Sequence, residues 1–205
     1  MRTSRTGSDF IIVFRPKADR FDRAGGRIMR LAPVPMFFYN EPEEAIEKSA
    51  ESSRTTHGAP ACLDACRYLA ALLIGALSGS SKEEILSSRY TPVPGFWDRR
   101  PLISEIDEIA CGSFKRKKPP EIQGTGYVVR SLEAALWSFY KTNSFEAAIF
   151  KAANLGDDAD TTAAICGQVA GAHYGESGIP KKWLDRVAMR QEISALGDRL
   201  FEANR

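Results

Sequence analysis

The sequence is poor in the residues that build the most recognisable functional sites. Its 205 residues include 2 histidines and 4 cysteines, too few for a histidine-rich metal centre or a disulfide framework. Cys62 and Cys66 are four residues apart, so we expect both thiols to pack on one helix face as small apolar groups rather than to bind zinc. Unpaired cysteines are typical of a reducing compartment, so the sequence predicts a cytoplasmic protein.

Long apolar runs and an excess of charge of one sign are also lacking. No uninterrupted run of about 18 apolar residues is present, so no membrane-spanning helix is predicted. The net charge is only +2, and we expect neither nucleic acid nor a membrane as a partner. The basic cluster KRKK at 115–118 is interpreted as a solvated loop, with phosphate contact as the minority alternative.

What the sequence does contain is helical periodicity. From residue 40 onward apolar residues recur at spacings of three and four, which predicts an all-α domain. Ser81 and Glu84 form a capping-box pattern for a short helix, and Asn143 is expected to cap the segment 144–155, with Glu146 in the reciprocal position. The segment 181–203 is expected to form two helices with a bend near Arg190. The predicted helical segments are 42–56, 60–77, 82–86, 102–110, 127–142, 144–155 and 181–203.

The first 24 residues differ from the rest of the chain. They are basic, poor in alanine and without a helical period, and we expect this atypical N-terminal segment to lack order. Its residues 10–14, FIIVF, form the one convincing strand-like run. The sequence therefore divides into an atypical segment over 1–24 and a single helical domain over 25–205.

Negative charge is concentrated at the start of one predicted helix, in GDDAD at 156–160. On a regular helix Asp158 and Asp160 would point apart, but in irregular backbone just before the helix they can converge, with the Thr161 hydroxyl beside them. Carboxylate and hydroxyl oxygens are hard ligands that suit Mg²⁺, Mn²⁺ or Ca²⁺. The alternative is a simple helix cap, because aspartate is a preferred cap residue.

The helix after this acidic junction is made almost entirely of small residues. Gly167, Gly171 and Gly175 recur every four residues, although each glycine inside a helix costs about 1 kcal/mol relative to alanine. We interpret Gly167 and Gly171 as places where the helix packs closely against another helix. Such a rigid central helix would hold the acidic junction in place.

At these residues the chain resembles a known family. The segment NLGDDADTTAAICGQVAGAHYG resembles the metal-binding signature of the ADP-ribosylglycohydrolases of the dinitrogenase reductase-activating type. Four further segments agree in the same order, so the resemblance covers about residues 26–205. They are RIMRLAPVP (27–35), SSRTTHGAP (52–60), GTGYVVRSLEAALWSF (124–139) and SGIPKKW (177–183).

The resemblance implies a fold, a cofactor and an activity. The fold would be an all-α orthogonal multi-helix bundle that holds a pair of Mg²⁺ or Mn²⁺ ions. The activity would be hydrolysis of the glycosidic bond that joins ADP-ribose to an acceptor, such as an arginine or a serine of a protein. The expected partners are therefore ADP-ribose or an ADP-ribosylated protein.

The metal ligands that the resemblance implies lie in the acidic junction. Asp158, Asp160 and Thr161 match the C-terminal metal ligands of the family. Asp157 stands where the family often has glycine, so we expect it to support the ligands or to face solvent.

Substrate contacts are implied at four further positions. His57 matches a histidine near the ADP-ribose phosphates, and its alternative is a structural histidine at a helix start. Tyr127 matches an aromatic residue near the nucleotide, and its alternative is a core helix residue. Gly126 would let the backbone approach the ligand. Gly26 belongs to the phosphate-binding loop, just before the Met-Arg pair at 29–30.

The chain departs from the family pattern at its beginning. No Thr-Asp-Asp-Thr cluster, which supplies the other metal ligands, occurs in it, and no catalytic acidic residue is identified. The phosphate loop is AGGR at 24–27, without its asparagine and serine. We therefore expect an N-terminally incomplete domain, a truncated or frameshifted product, with at most a partial metal site and little hydrolase activity alone. The alternative is a non-catalytic relative with weak ADP-ribose binding or a structural role.

Overall fold

The computed structural model describes residues 28–203, and this part of the chain is all-helical, as predicted. It contains twelve α-helices and a 3-10 turn at Glu176–Gly178, with no strand among residues 28–203. The segment 1–24, with its strand-like run, and Gly26 lie outside the described residues. The helices are α1 (Pro33–Phe37), α2 (Pro42–Arg54), α3 (Pro60–Leu77), α4 (Lys82–Ile85), α5 (Phe96–Arg99), α6 (Ser104–Ala110), α7 (Ser113–Arg116), α8 (Val128–Tyr140), α9 (Phe145–Ala153), α10 (Ala159–Tyr174), α11 (Lys181–Leu184) and α12 (Arg190–Glu202).

Helix α3 forms the centre of the core. It begins at Pro60, which suits a first helical turn, and it ends just before Gly79, whose φ of +83° breaks the helix. By length and composition α3 could cross a membrane, but 78% of it is buried inside the fold. Burial of this kind is typical of the core helix of a globular domain.

Helix α10 is the second central element and lies against α3, α8 and α9. Its glycines face α9, as predicted: a β-carbon on Gly167 would lie 3.4 Å from Ile149 Cδ1, and one on Gly171 would lie 3.8 Å from Phe145 Cε2. Side chains of α9 thus come within van der Waals contact of both positions, which confirms the close helix packing. A β-carbon would fit at these distances, so neither position demands glycine.

The helix caps follow local side-chain chemistry. Ser81 Oγ accepts a hydrogen bond from the Glu84 N–H at the start of α4, which confirms one predicted cap. The expectation that Asn143 caps α9 is wrong. Ser144 holds that position in extended backbone, and its hydroxyl accepts from the Ala147 N–H at 3.2 Å, because a short hydroxyl side chain at the N-cap reaches the third helical amide.

A polar network joins the first half of the core to the loop before α6. Arg67 donates to Asp64 Oδ1 at 2.9 Å and to the Arg100 carbonyl at 3.0 Å, while Asp64 Oδ2 accepts from the Ile103 N–H at 2.7 Å. The guanidinium also stacks on Phe96. Asp64 and Arg67 are buried, so each compensates the charge of the other where water cannot.

Replacing Asp64 with alanine should therefore destabilise the fold. The change removes the carboxylate that hydrogen-bonds Arg67, leaving only Glu47 Oε1 at 3.8 Å, and it leaves the Ile103 N–H without its acceptor. We therefore expect the free energy of unfolding to fall by about 3 kcal/mol. Urea denaturation followed by circular dichroism measures it. The control is Lys48→Ala, which breaks an exposed ion pair with Glu51 and should cost less than about 1 kcal/mol. Equal losses in the two variants would contradict the assignment.

Three of the four cysteines, Cys62, Cys66 and Cys166, are buried, and Cys111 is exposed. Burial raises the pKa of the Cys166 thiol to about 12, so its reactive thiolate is almost absent at neutral pH. We predict that iodoacetamide labels only the exposed Cys111 in the native protein and all four thiols in urea, as mass spectrometry would show. Cys111→Ser should abolish native labelling, and labelling of native Cys166 would contradict the packing.

Helix α12 is attached to the fold by one face only. It packs on α1 and the residues after it, where a β-carbon on Gly197 would lie 3.8 Å from Met36 Cε and the Phe201 ring lies 5.5 Å from that of Tyr39. Beside this contact Ile193 and Leu196 remain more than half exposed. The C-terminal helix therefore presents apolar surface to solvent.

Candidate functional site

The acidic junction is a tight turn between α9 and α10. Gly156 and Asp157 are consecutive left-handed residues, with φ of +74° and +53°. Glycine adopts this region freely, and aspartate tolerates it better than most residues. The turn reverses the chain so that the Asp158 N–H donates to the Gly124 carbonyl at 2.7 Å. The junction is thereby tied to a second loop, 124–127.

Asp158 stands at the N-cap position of α10, but its side chain makes no cap hydrogen bond. Instead its Oδ1 accepts from the Thr161 hydroxyl at 2.8 Å. A hydrogen bond with the Asp158 carboxyl, followed by those from the backbone N–H groups of Thr161 and Asp160, lowers the pKa of the exposed Asp160. The three predicted metal ligands are thus brought together. Contrary to the alternative interpretation, the Asp158 side chain does not cap the backbone of α10.

The 124–127 loop fits closely against the junction. A β-carbon on Gly124 would lie 2.9 Å from Thr162 Oγ1 and 3.3 Å from the Gly156 carbonyl oxygen. The Thr162 hydroxyl in turn donates to the Asp158 carbonyl at 3.2 Å. Only a residue without a side chain allows this approach of two backbones. Gly124, which sequence reasoning did not single out, therefore sets the position of the loop.

Gly126 and Tyr127 complete the 124–127 loop. The Tyr127 N–H donates to Thr125 Oγ1 at 3.3 Å, and the Ser131 hydroxyl donates to the Thr125 carbonyl. Tyr127 is half-buried against the core at the start of α8. Tyr127 therefore lies at the N-cap of α8 and packs against the core, and its role near the nucleotide stays a prediction.

His57 lies at the end of α2. Its backbone carbonyl accepts from the Ser53 hydroxyl at 3.1 Å, and its ring Nδ1 lies 3.2 Å from Thr56 Oγ1. These local contacts hold the half-buried ring next to α2, at a helix end rather than at the helix start that the structural alternative supposed. They do not join His57 to the acidic junction.

Gln168 on α10 is a further residue that sequence reasoning missed. Its side-chain oxygen accepts from the Ala32 N–H at 2.8 Å, and its Nε2 donates to the Ile28 carbonyl at 2.8 Å. The Gln168 side chain thus hydrogen-bonds the backbone on both sides of Met29 and Arg30. The available signal was a lone amide side chain within a helix of alanine and glycine.

The donor set fits part of a site for a hard divalent cation. The carboxylates of Asp158 and Asp160 and the hydroxyl of Thr161 are oxygen ligands of the kind that Mg²⁺ and Mn²⁺ prefer. Two carboxylates this close repel each other, and a cation between them would relieve the repulsion. Within residues 28–203, no three histidine, cysteine, aspartate or glutamate side chains converge as a metal cluster, so these residues supply a few ligands and not a complete shell.

The structure shows an all-helical fold with an acidic junction of hard oxygen atoms at the start of α10. Comparison with known proteins assigns this fold to a family. Residues 3–205 match the family model of the ADP-ribosylglycohydrolases. The chain therefore belongs to the ADP-ribosylglycohydrolase family, as the sequence motifs predicted.

Individual relatives agree with this assignment. The chain is 41% identical over 174 residues to the ADP-ribosylarginine hydrolase Tri1 of Serratia proteamaculans, covering 85% of this chain and 45% of that protein. It is 27% identical over 175 residues to the ADP-ribosyl-[dinitrogen reductase] glycohydrolase of Rhodospirillum rubrum, covering 83% of this chain and 53% of that one. The chain thus spans about half the length of these relatives.

A solved structure has the same fold. It is that of an ADP-ribosylglycohydrolase-related protein complex, and the superposition has a TM-score of 0.79 at 37% sequence identity. It covers 89% of this chain and 61% of the other. The all-α fold class that the resemblance implied is confirmed.

The close approach at Gly124 can be tested by adding one methyl group. Gly124→Ala should push the 124–127 loop away from the junction and lower the free energy of unfolding by about 2 kcal/mol. Gly58→Ala is the matched control, because a β-carbon there meets nothing within 4 Å, and it should change stability by less than about 1 kcal/mol. Urea denaturation compares the two variants, and equal stability would refute the contact.

Proposed function

We propose that this chain carries part of the active site of an ADP-ribosylglycohydrolase that uses Mg²⁺ or Mn²⁺. The observation that carries the proposal is the acidic junction, in which the Asp158 carboxylate bonds the Thr161 hydroxyl next to Asp160. A helix start built only for capping would use its carboxylate on the backbone amides, and Asp158 does not.

The proposed reaction is hydrolysis at the anomeric carbon of ADP-ribose. Such reactions pass through an oxocarbenium-like state and need a water nucleophile and help for the leaving group. The bound metal would acidify and orient that water. Asp158, Asp160 and Thr161 would hold the metal, and the loop with Gly126 and Tyr127, tied to the junction through Gly124, would border the nucleotide.

The proposed substrate is an ADP-ribosylated arginine side chain of a protein. Two relatives at 41% and 42% identity are named ADP-ribosylarginine hydrolases, and the more distant Rhodospirillum rubrum relative is named for a modified protein, dinitrogen reductase. ADP-ribosylated serine is the second candidate. For His57 we propose a role near the phosphates. We propose a reducing cytoplasm as the compartment, because the four cysteines do not form the sequence pattern of a disulfide framework.

A non-catalytic role for the chain alone is the second candidate function. The observation that favours it is the small number of ligands that residues 28–203 bring together at the junction. A site completed by water would bind metal weakly. In this reading the chain binds ADP-ribose without efficient hydrolysis.

Calorimetric titration tests the metal site directly. We expect Mn²⁺ to bind the chain and to strengthen the binding of ADP-ribose added afterwards. The double variant Asp158→Asn/Asp160→Asn should weaken Mn²⁺ binding by at least about tenfold, because it removes both charged ligands. Asp157→Asn/Asp185→Asn removes the same charge outside the three ligands, and asparagine tolerates the left-handed backbone of Asp157, so it should bind as the unaltered chain does.

The outcomes separate the two candidate functions. Metal-dependent ADP-ribose binding with release of arginine from an ADP-ribosylated arginine substrate supports the enzyme. Binding without release supports the non-catalytic role. Absence of Mn²⁺ binding, or equal binding by the two double variants, refutes the proposed metal site.

A further inference from the structure

Five cationic side chains form one surface, here called the basic face. They come from α7, the loop after it, the end of α8 and the end of α9, and none of them makes an ion pair with a residue between 28 and 203. Mutual repulsion of unpaired cations is unfavourable for folding. The basic face consists of Lys115, Arg116, Lys118, Lys141 and Lys151.

Two aromatic rings of α8 contact three of these five cations. The ammonium groups of Lys115 and Lys141 lie 6.0 and 5.1 Å from the centre of the Tyr140 ring. The Lys151 ammonium lies 5.1 Å from the centre of the Trp137 ring. Contacts of this kind orient an ammonium group and still leave it accessible to an anion. The basic face is therefore more ordered than a set of free surface lysines.

The Glu133 carboxylate, which lies beside Lys117, does not neutralise the basic face. Glu133 is buried, and its Oε1 accepts from Lys117 Nζ at 2.6 Å and from the Ser113 hydroxyl. Its charge is thus matched by the partly exposed Lys117. The positive charge of the remaining five side chains stays available to a partner.

We propose that the basic face docks an acidic surface of the ADP-ribosylated protein on which the active site acts. This inference rests on the proposed function and adds a second contact to it. Trp137 lies ten residues along α8 from Tyr127, about 15 Å away at 1.5 Å per residue. Lys151 lies on α9, five residues before Gly156 of the acidic junction. A bound protein whose modified side chain reached the acidic junction would extend far enough to contact the basic face as well.

The geometry favours an acidic protein over a nucleic acid. Single-stranded nucleic acid binds by stacking its bases on open aromatic faces. Trp137 is only 8% exposed and donates its Nε1 proton to the Lys117 carbonyl. Tyr140 is approached by two ammonium groups and by the Phe114 ring. Carboxylates bind ammonium and guanidinium groups directly and require no open aromatic face.

Binding of poly-L-glutamate, a probe that requires no turnover, tests the basic face. Fluorescence anisotropy should show binding that weakens as ionic strength rises. The variant Lys115→Gln/Lys118→Gln/Lys141→Gln/Lys151→Gln should bind about tenfold more weakly. The matched control Arg54→Gln/Lys181→Gln/Lys182→Gln/Arg186→Gln removes the same charge from cations outside the basic face and should bind nearly as the unaltered chain does.

The results are read independently of hydrolase activity. Equal losses in the two quadruple variants, or no loss in either, would overturn the proposal. So would tighter binding of single-stranded DNA or of phosphatidylserine vesicles than of poly-L-glutamate. Free ADP-ribose should bind both quadruple variants equally, so a failure of the active site is distinguished from a failure of the basic face. Thermal unfolding confirms that both variants are folded.

Discussion

The hydrogen bond from the Asp158 N–H to the Gly124 carbonyl is the contact on which the site depends. It joins two turns that are distant in sequence, the acidic junction and the 124–127 loop. The approach is close enough that a β-carbon on Gly124 would meet Thr162 and the Gly156 carbonyl. Two carboxylates, a hydroxyl and the start of α8 are therefore held at one place by backbone geometry.

Helix α10 connects the acidic junction to the core of the domain. It is buried between α3, α8 and α9, so its N-terminus cannot move without disturbing the core. Near its middle, Gln168 holds the backbone at Ile28 and Ala32. The two segments that resemble the metal signature and the Met-Arg motif are thus attached to one rigid helix. A ligand that used both would find them already positioned.

Much of the fold was predictable because its signals are local. Apolar spacing predicted α3 to the residue, and the Ser81 cap was read from four adjacent residues. The cap predicted at Asn143 was wrong by one residue. Asn143 and Ser144 are both good capping residues, and the structure uses Ser144. Gly124 and Gln168 escaped prediction because their partners lie tens of residues away or more. Asp158, Asp160 and Thr161 were predicted as a group because they are adjacent, whereas the local contacts of His57 required coordinates.

Paramagnetic line broadening by Mn²⁺ in an amide ¹⁵N–¹H spectrum tests the central claim most directly. If the junction is a metal site tied to the 124–127 loop, broadening at low Mn²⁺ will be strongest for the amides of 157–162 and 124–127. Amides beside other exposed carboxylates, such as Asp98 and Asp198, will broaden only at higher Mn²⁺. Broadening that is equal at all carboxylates, or strongest away from the two loops, would contradict the account.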